Sequence, residues 1–196
     1  MIPKEDCIVI VTDEGYVKRT SLRSYDESVE PTLKEGDFII YGSNGVCQVE
    51  HIGSMDLQGV PGDKMYYTLV PVYEEKSRLF TPVDNHKVVM RPVISKKEAC
   101  ELIDHMQEMQ VFEIQNEKNR DTVFKEALKT GDCEELVRVI KTIYEKKQER
   151  KAQGKKVTAG DERYFKLAEE HLYGELAIAL GIEKDKVSSY IEKRIA

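Results

Sequence analysis

Over its first ninety or so residues the chain alternates β-branched or aromatic side chains with polar ones, and short clusters of Gly, Asp and Asn interrupt the runs. A two-residue period of this kind marks strands with one buried face. Cys7-Ile8-Val9-Ile10-Val11-Thr12 and Tyr16-Val17-Lys18-Arg19-Thr20, joined by Asp13-Glu14-Gly15, predict a hairpin. The polar residues 24–32, with Pro31 near their end, read as a linker. Further strands are predicted over 36–41, 46–52, 64–72 and 78–83, with a last short one near 88–90. Short, strongly bent strands at this spacing predict a small barrel of the SH3 or Tudor kind, with open edges.

Beyond Ile94 the period lengthens to that of a helix, and Pro92 is the last proline. Ser95 with Glu98 forms a capping box, and Cys100, Ile103, Met106 and Met109 share a face behind it. A second helix is predicted over 117–130, stopped by Gly131. Asp132 with Glu135 opens a third, whose Leu136, Val137, Ile140, Ile143 and Tyr144 form an apolar stripe. Thr158 with Asp161 opens a fourth, with Tyr164, Leu167, Ala168, His171, Leu172, Leu176 and Ala179 in period and Gly181 as its stop. A short helix over about 183–194 closes the series. Strands in one block and helices in another make the fold class α+β. Three parts are expected: a hairpin and linker over 1–32, a β domain over 33–93 and a helical domain over 94–196.

The apolar share, 40 %, is that of an ordinary folded chain, while the charged share, 34 %, suggests much exposed helix. No apolar run approaches the roughly 18–20 residues that span a bilayer, and the N-terminal residues lack the pattern of a signal peptide. A cytoplasmic location with no membrane contact is expected. The net charge of −6 opposes coating of nucleic acid by bulk charge. Within that acidic chain, however, Lys141, Lys146, Lys147, Arg150, Lys151, Lys155 and Lys156 crowd against only Glu145 and Glu149. A solvated helix face accounts for such a run as readily as a phosphate-contacting surface.

Candidate chemistry is sparse. Cys7, Cys47, Cys100 and Cys133 are far apart and lack the clustered donors of a zinc site, so free thiols and no metal are expected. The sequence lacks GxSxG, P-loop, GxGxxG and HExxH motifs, and its four histidines are scattered. Neither catalysis nor a cofactor is expected. For binding, Lys76-Ser77-Arg78-Leu79-Phe80-Thr81-Pro82 reads as a strand closed by proline, which suits a sheet edge open to a partner strand. An interior strand fits the same residues equally well. Lys146, Lys147, Arg150 and Lys151 at a helix end, Lys155 and Lys156 in the loop beyond, and Arg163 and Lys166 on the next helix form the candidate DNA-binding set. Cations also favour a helix C-terminus through its dipole.

From Leu33 onward the chain resembles the CarD family, in the form found in Gram-positive anaerobes. The resemblance rests on Leu33-Lys34-Glu35-Gly36-Asp37-Phe38-Ile39-Ile40-Tyr41, Gly45-Val46-Cys47-Gln48-Val49 and Leu79-Phe80-Thr81-Pro82-Val83. It continues through Lys129-Thr130-Gly131-Asp132 and Thr158-Ala159-Gly160-Asp161-Glu162 to Tyr173-Gly174-Glu175-Leu176-Ala177. The resemblance implies a Tudor-like domain that binds the β subunit of RNA polymerase. It also implies a helical domain that contacts promoter DNA at the upstream edge of the transcription bubble and stabilises the open complex. By position, the polymerase-binding strand falls on Arg78, Leu79, Phe80 and Thr81. A basic residue common in the family aligns with Phe80, so Arg78 or Lys76 is expected to substitute. Many relatives also place a tryptophan beside the DNA fork; this chain has none, and Phe112 and Phe124 are the candidate substitutes.

Residues 1–32 do not share this resemblance. Ile8 to Tyr25 are similar to the start of the C-terminal β-pinwheel of the topoisomerase IV A subunit, whose DNA-wrapping basic surface would correspond to Lys18, Arg19 and Arg23. A lone hairpin is marginal in water, so pairing with a barrel edge, in its own chain or in a second copy, is expected. The leading expectation is therefore a non-enzymatic regulator of transcription partnered by RNA polymerase and promoter DNA. A topoisomerase-like DNA-binding module and a protein–protein adaptor without DNA contact are the alternatives.

Overall fold

A computed structural model describes residues 7–11, 17–21, 32–54, 65–74, 77–114 and 117–195; for 7–11, 17–21, 117 and 118 only the main chain is described. The chain divides into two compact units, Met1–Thr32 and Leu33–Ala196. In the first, β1 (Cys7–Val11) pairs antiparallel with β2 (Val17–Ser21), Cys7 lying opposite Ser21 and Val11 opposite Val17. The turn at 13–15 and the linker over 24–31 lie outside the described residues.

The second unit opens with β3 (Phe38–Tyr41), β4 (Val46–Ser54), β5 (Met65–Pro71), β6 (Leu79–Pro82) and β7 (Met90–Pro92). Neighbouring strands run antiparallel in the order β6-β5-β4-β3-β7. The strands expected to curl into a small barrel form a five-stranded antiparallel sheet that is not closed. Among the described residues β6 and β7 each pair on one side only. Alternation places Ile39, Cys47, Val49, Tyr67 and Leu69 on one face as a small apolar core, joined by Leu33, Tyr41, Ile52, Leu79, Val83 and Met90. The β4–β5 register shifts between Val49 and His51, leaving Glu50 unpaired in the ladder as in a β-bulge.

Among the described residues five α-helices follow: α1 (Lys96–His105), α2 (Glu117–Thr130), α3 (Cys133–Ala152), α4 (Ala159–Leu180) and α5 (Val187–Ile195). Their ends are fixed by short-range chemistry. Ser95 accepts from the Glu98 N–H while Glu98 reaches back to the Ser95 N–H. Asp132 caps two N–H groups of α3, and Thr158 caps α4. Phe124, Leu136, Val139, Ile143, Ala168, Leu172, Leu176 and Val187 centre the helical core. Tyr144 departs from its expected place in the α3 stripe: it is exposed, and Ile143 alone of the two faces inward. Lys141 is committed elsewhere, donating to the carbonyls of Met106, Gln107 and Met109 behind α1. No described helix is long and apolar enough to cross a membrane.

Sheet and helices meet along a polar and sterically tight seam. Arg91 on β7 donates to both Glu175 carboxylate oxygens on α4, at 2.5 and 2.7 Å, and to the Gly131 carbonyl. Glu175 is 1 % exposed and also accepts from the Ile94 N–H at 3.1 Å and the Cys133 thiol at 3.1 Å. Gly131, at φ 62°, ends α2 where an added Cβ would stand 2.8 Å from Ile40. Gly174 admits the Tyr73 ring equally closely, and the Tyr73 hydroxyl donates to its carbonyl at 3.0 Å.

Candidate functional site

The first candidate surface is the outer edge of β6. In the antiparallel register Tyr67 lies opposite Thr81 and Thr68 opposite Phe80, and the Val83 N–H donates to the Met65 carbonyl at 3.0 Å. Hydrogen-bonded pairs alternate with non-bonded ones along such a ladder. Leu79 and Thr81 therefore direct their main-chain groups into the sheet. The N–H and C=O of Phe80 and the C=O of Pro82 point outward, where no described strand meets them. Proline at the edge removes a donor that the ladder does not use.

Side chains on β6 divide between the two faces. Thr81 is 1 % exposed and faces the core, and Leu79 packs beside it. Phe80 is 50 % exposed on the outer face, which Arg78 shares by its spacing of two. Arg78 forms a two-pronged pair with Glu50 at the bulge, at 2.6 and 2.8 Å, and this hydrogen bonding holds the Glu50 carboxyl below its usual range. Phe38 adds a second exposed ring to the sheet. Lys76 lies outside the described residues.

The second surface is built where α3 ends and α4 begins. Gly154 at φ 67° turns the chain, with the Lys155 N–H donating to the Arg150 carbonyl at 2.8 Å. Arg150 Nε in turn donates to the Lys156 carbonyl at 2.8 Å, so the loop is tied to the helix that precedes it. Lys155 reaches the Gln153 amide oxygen at 2.9 Å, Lys147 lies 5.9 Å from the Phe165 ring centre, and Arg163 lies 5.4 Å from that of Tyr164. Lys166 stands 3.8 Å from Glu170 one turn on. Lys151 and Lys156 are exposed and form no ion pair among the described residues. Lys146, half-buried, completes the set. The turn at Gly154 returns the chain so that α4 packs against α3, with Lys147 beside Phe165.

Neither expected aromatic substitute stands free at this surface. Phe124 is fully buried, edge-on to Tyr164 at 5.6 Å, because its position on α2 faces the centre of the bundle. Phe112 packs on that core with Arg138 4.2 Å over its ring. The exposed ring on the helices is Tyr144, which its place in an apolar stripe concealed.

Comparison with known families and proteins fits this two-part arrangement. Residues 33–94 match the CarD-like/TRCF RID domain, and residues 101–192 match the C-terminal domain of CarD. The chain is also similar to the A subunit of DNA topoisomerase 4 from Staphylococcus epidermidis, 26 % identical over 158 residues, which covers 72 % of this chain and 19 % of that protein. Its counterpart in Staphylococcus aureus is 36 % identical over 76 residues, covering 38 % of this chain and 9 % of its own length. The chain thus spans a fifth or less of these curated relatives, and both matches are longer than the hairpin and linker together. With both CarD domains matched in order around the sheet and the helices, the chain belongs to the CarD family, non-enzymatic regulators of transcription that act with RNA polymerase.

Proposed function

We propose that the chain docks on the β subunit of RNA polymerase through β6 and holds promoter DNA, at the upstream edge of the bubble, with the cations around the α3–α4 turn. The observation that carries this reading is the outward main chain of Phe80 on a sheet edge that no described strand covers. A polymerase strand added there gains main-chain hydrogen bonds, while Phe80 and Arg78 supply side-chain recognition. Leu79 and Thr81 hold the strand in place from the core side, and Lys76 extends the contact. In this reading residues 33–93 are a Tudor-like polymerase-interacting domain, residues 94–196 contact DNA, and 1–32 form an appended hairpin.

On the DNA side, Lys146, Lys147, Arg150, Lys151, Lys155, Lys156, Arg163 and Lys166 meet phosphates. Each such contact adds salt dependence without reading sequence. A protein that contacts open-complex DNA better than closed-complex DNA shifts the equilibrium toward open by that difference in affinity. The test is the lifetime of polymerase–promoter complexes under competitor challenge. Added protein should lengthen it, and a Lys151→Glu, Lys156→Glu variant should lengthen it less; equal lifetimes with and without the protein refute the proposal.

The topoisomerase likeness supports a second contribution: DNA contact by Lys18, Arg19 and Arg23, and self-association by hairpin pairing. Removing residues 1–32 would then lower both DNA affinity and oligomeric order. No change in either would make the hairpin a passenger.

A further inference from the structure

Tyr144 is 54 % exposed, the most open of the large apolar side chains among the described residues, and the other exposed ones all precede the helices. At 3.6 residues per turn, Lys147 and Lys151 project about 60° and about 20° from Tyr144, roughly 4.5 and 10.5 Å farther along α3. Lys146 and Arg150 continue round the same side at about 160° and 120°. Glu145 and Glu149 lie at about 100° and 140° on the opposite side. The ring thus stands at the margin of a basic sector from which the acids are turned away. Lys147 approaches a second aromatic, the half-buried Phe165.

We propose that this end of α3 binds unpaired nucleic acid, with Tyr144 stacking on a base while Lys147 and Lys151 meet the flanking phosphates. The inference rests on the DNA contact proposed above and says which form of DNA is preferred. In a duplex each base face is covered by its neighbours, so cations reach phosphates but the ring finds no partner. An unpaired base presents its face, and an aromatic ring among cations is the arrangement that holds single strands without regard to sequence. An anionic lipid surface is the less suitable occupant. A helix lying on a membrane needs a broad apolar face, whereas Tyr144 is flanked by charged and polar neighbours.

The test uses the full chain and a labelled oligothymidylate of about twelve nucleotides, within the usual span of a single-strand site, beside a duplex of equal length. Tyr144→Ala should weaken single-strand binding by roughly tenfold to a hundredfold, the range that base–aromatic stacking supplies, and leave duplex binding unchanged. Tyr144→Phe should bind as the parent does. Because the chain contains no tryptophan, Tyr144→Trp introduces one indole whose emission should be quenched by the single strand and not by the duplex. Unchanged single-strand affinity in Tyr144→Ala, an unresponsive indole, or tighter binding to vesicles rich in phosphatidylserine overturns the proposal. A Lys147→Glu, Lys151→Glu variant separates the two readings. If it weakens single strand and duplex alike while Tyr144→Ala is silent, DNA contact stands and stacking falls. If neither variant matters, both fall.

Discussion

Replacing Glu175 by Gln tests the seam that joins sheet and helices. Glu175 accepts four hydrogen bonds: two from Arg91, one from the Ile94 N–H and one from the Cys133 thiol. Glutamine keeps the shape but offers a single acceptor oxygen. If that oxygen stays with Ile94 and one arm of Arg91, the new NH2 group faces the other arm of Arg91 and the thiol, donor against donor. A hydrogen bond to a charged group contributes about 1.5–3 kcal/mol net, and removing one member of a buried ion pair costs about 3–5 kcal/mol. The Arg91 side chain remains 24 % exposed, so water offsets part of the loss, and a cost near 2–3 kcal/mol is expected. With a urea dependence of about 2 kcal/mol per molar, the unfolding midpoint followed by far-ultraviolet circular dichroism should fall by about 1 M. Combining Glu175→Gln with Arg91→Met should cost less than the two changes summed, with coupling of about 1–3 kcal/mol. A single-variant cost under about 0.5 kcal/mol, or strict additivity in the double variant, would refute the role assigned to this seam.

Other outcomes follow from burial. His171 faces Gly45 from α4, and its Nδ1 is buried without a hydrogen-bond partner among the described residues. Burial holds its pKa below the ordinary value, opposed by Glu170 and aided by Lys184. The unfolded chain therefore binds the proton better, so stability is full above about pH 6.5 and declines as pH falls from there toward the depressed folded value. His171→Asn should show a shallower loss between pH 7.5 and 5.5 in urea midpoints; an identical pH dependence would contradict this. Burial also raises the Cys47 thiol to about 12 and the Cys133 thiol further. In a Cys7→Ser background Cys100, only half-buried, should be the first thiol to react with a disulfide reagent at pH 8. Earlier reaction of Cys47 or Cys133 would show that the native interior opens more readily than its packing implies.

The helices were legible in the sequence because their signals are local. Ser95 with Glu98, Asp132, Thr158, Gly131 and Gly181 each act within a few residues, and the helix ends lie at these positions. Strands β3 to β6 were legible from alternation, whereas the last, expected near 88–90, forms at Met90–Pro92, and nothing along β6 and β7 says whether their edges meet. The Arg91–Glu175 pair joins residues 84 apart in the chain, and nothing around either residue marks the other. The run of cations over 146–156 is contiguous in the sequence, whereas the division of β6 into inward Thr81 and outward Phe80 required the register. Tyr144 was concealed because Ile143 and Tyr144 both satisfy a helical period, and only packing decides which one turns inward.

The most direct test of the central reading is binding of the full chain to a purified lobe fragment of the polymerase β subunit, comparing the parent with Phe80→Ala and Phe80→Pro. Phe80→Ala removes the outward ring; Phe80→Pro also removes an N–H that serves no bond within the sheet, a position where proline is tolerated. Docking by strand addition predicts tight binding by the parent, weaker binding by Phe80→Ala and loss in Phe80→Pro, with the unfolding midpoint of each variant close to that of the parent. Binding by Phe80→Pro as tight as the parent's, or no binding by the parent, would contradict docking at β6.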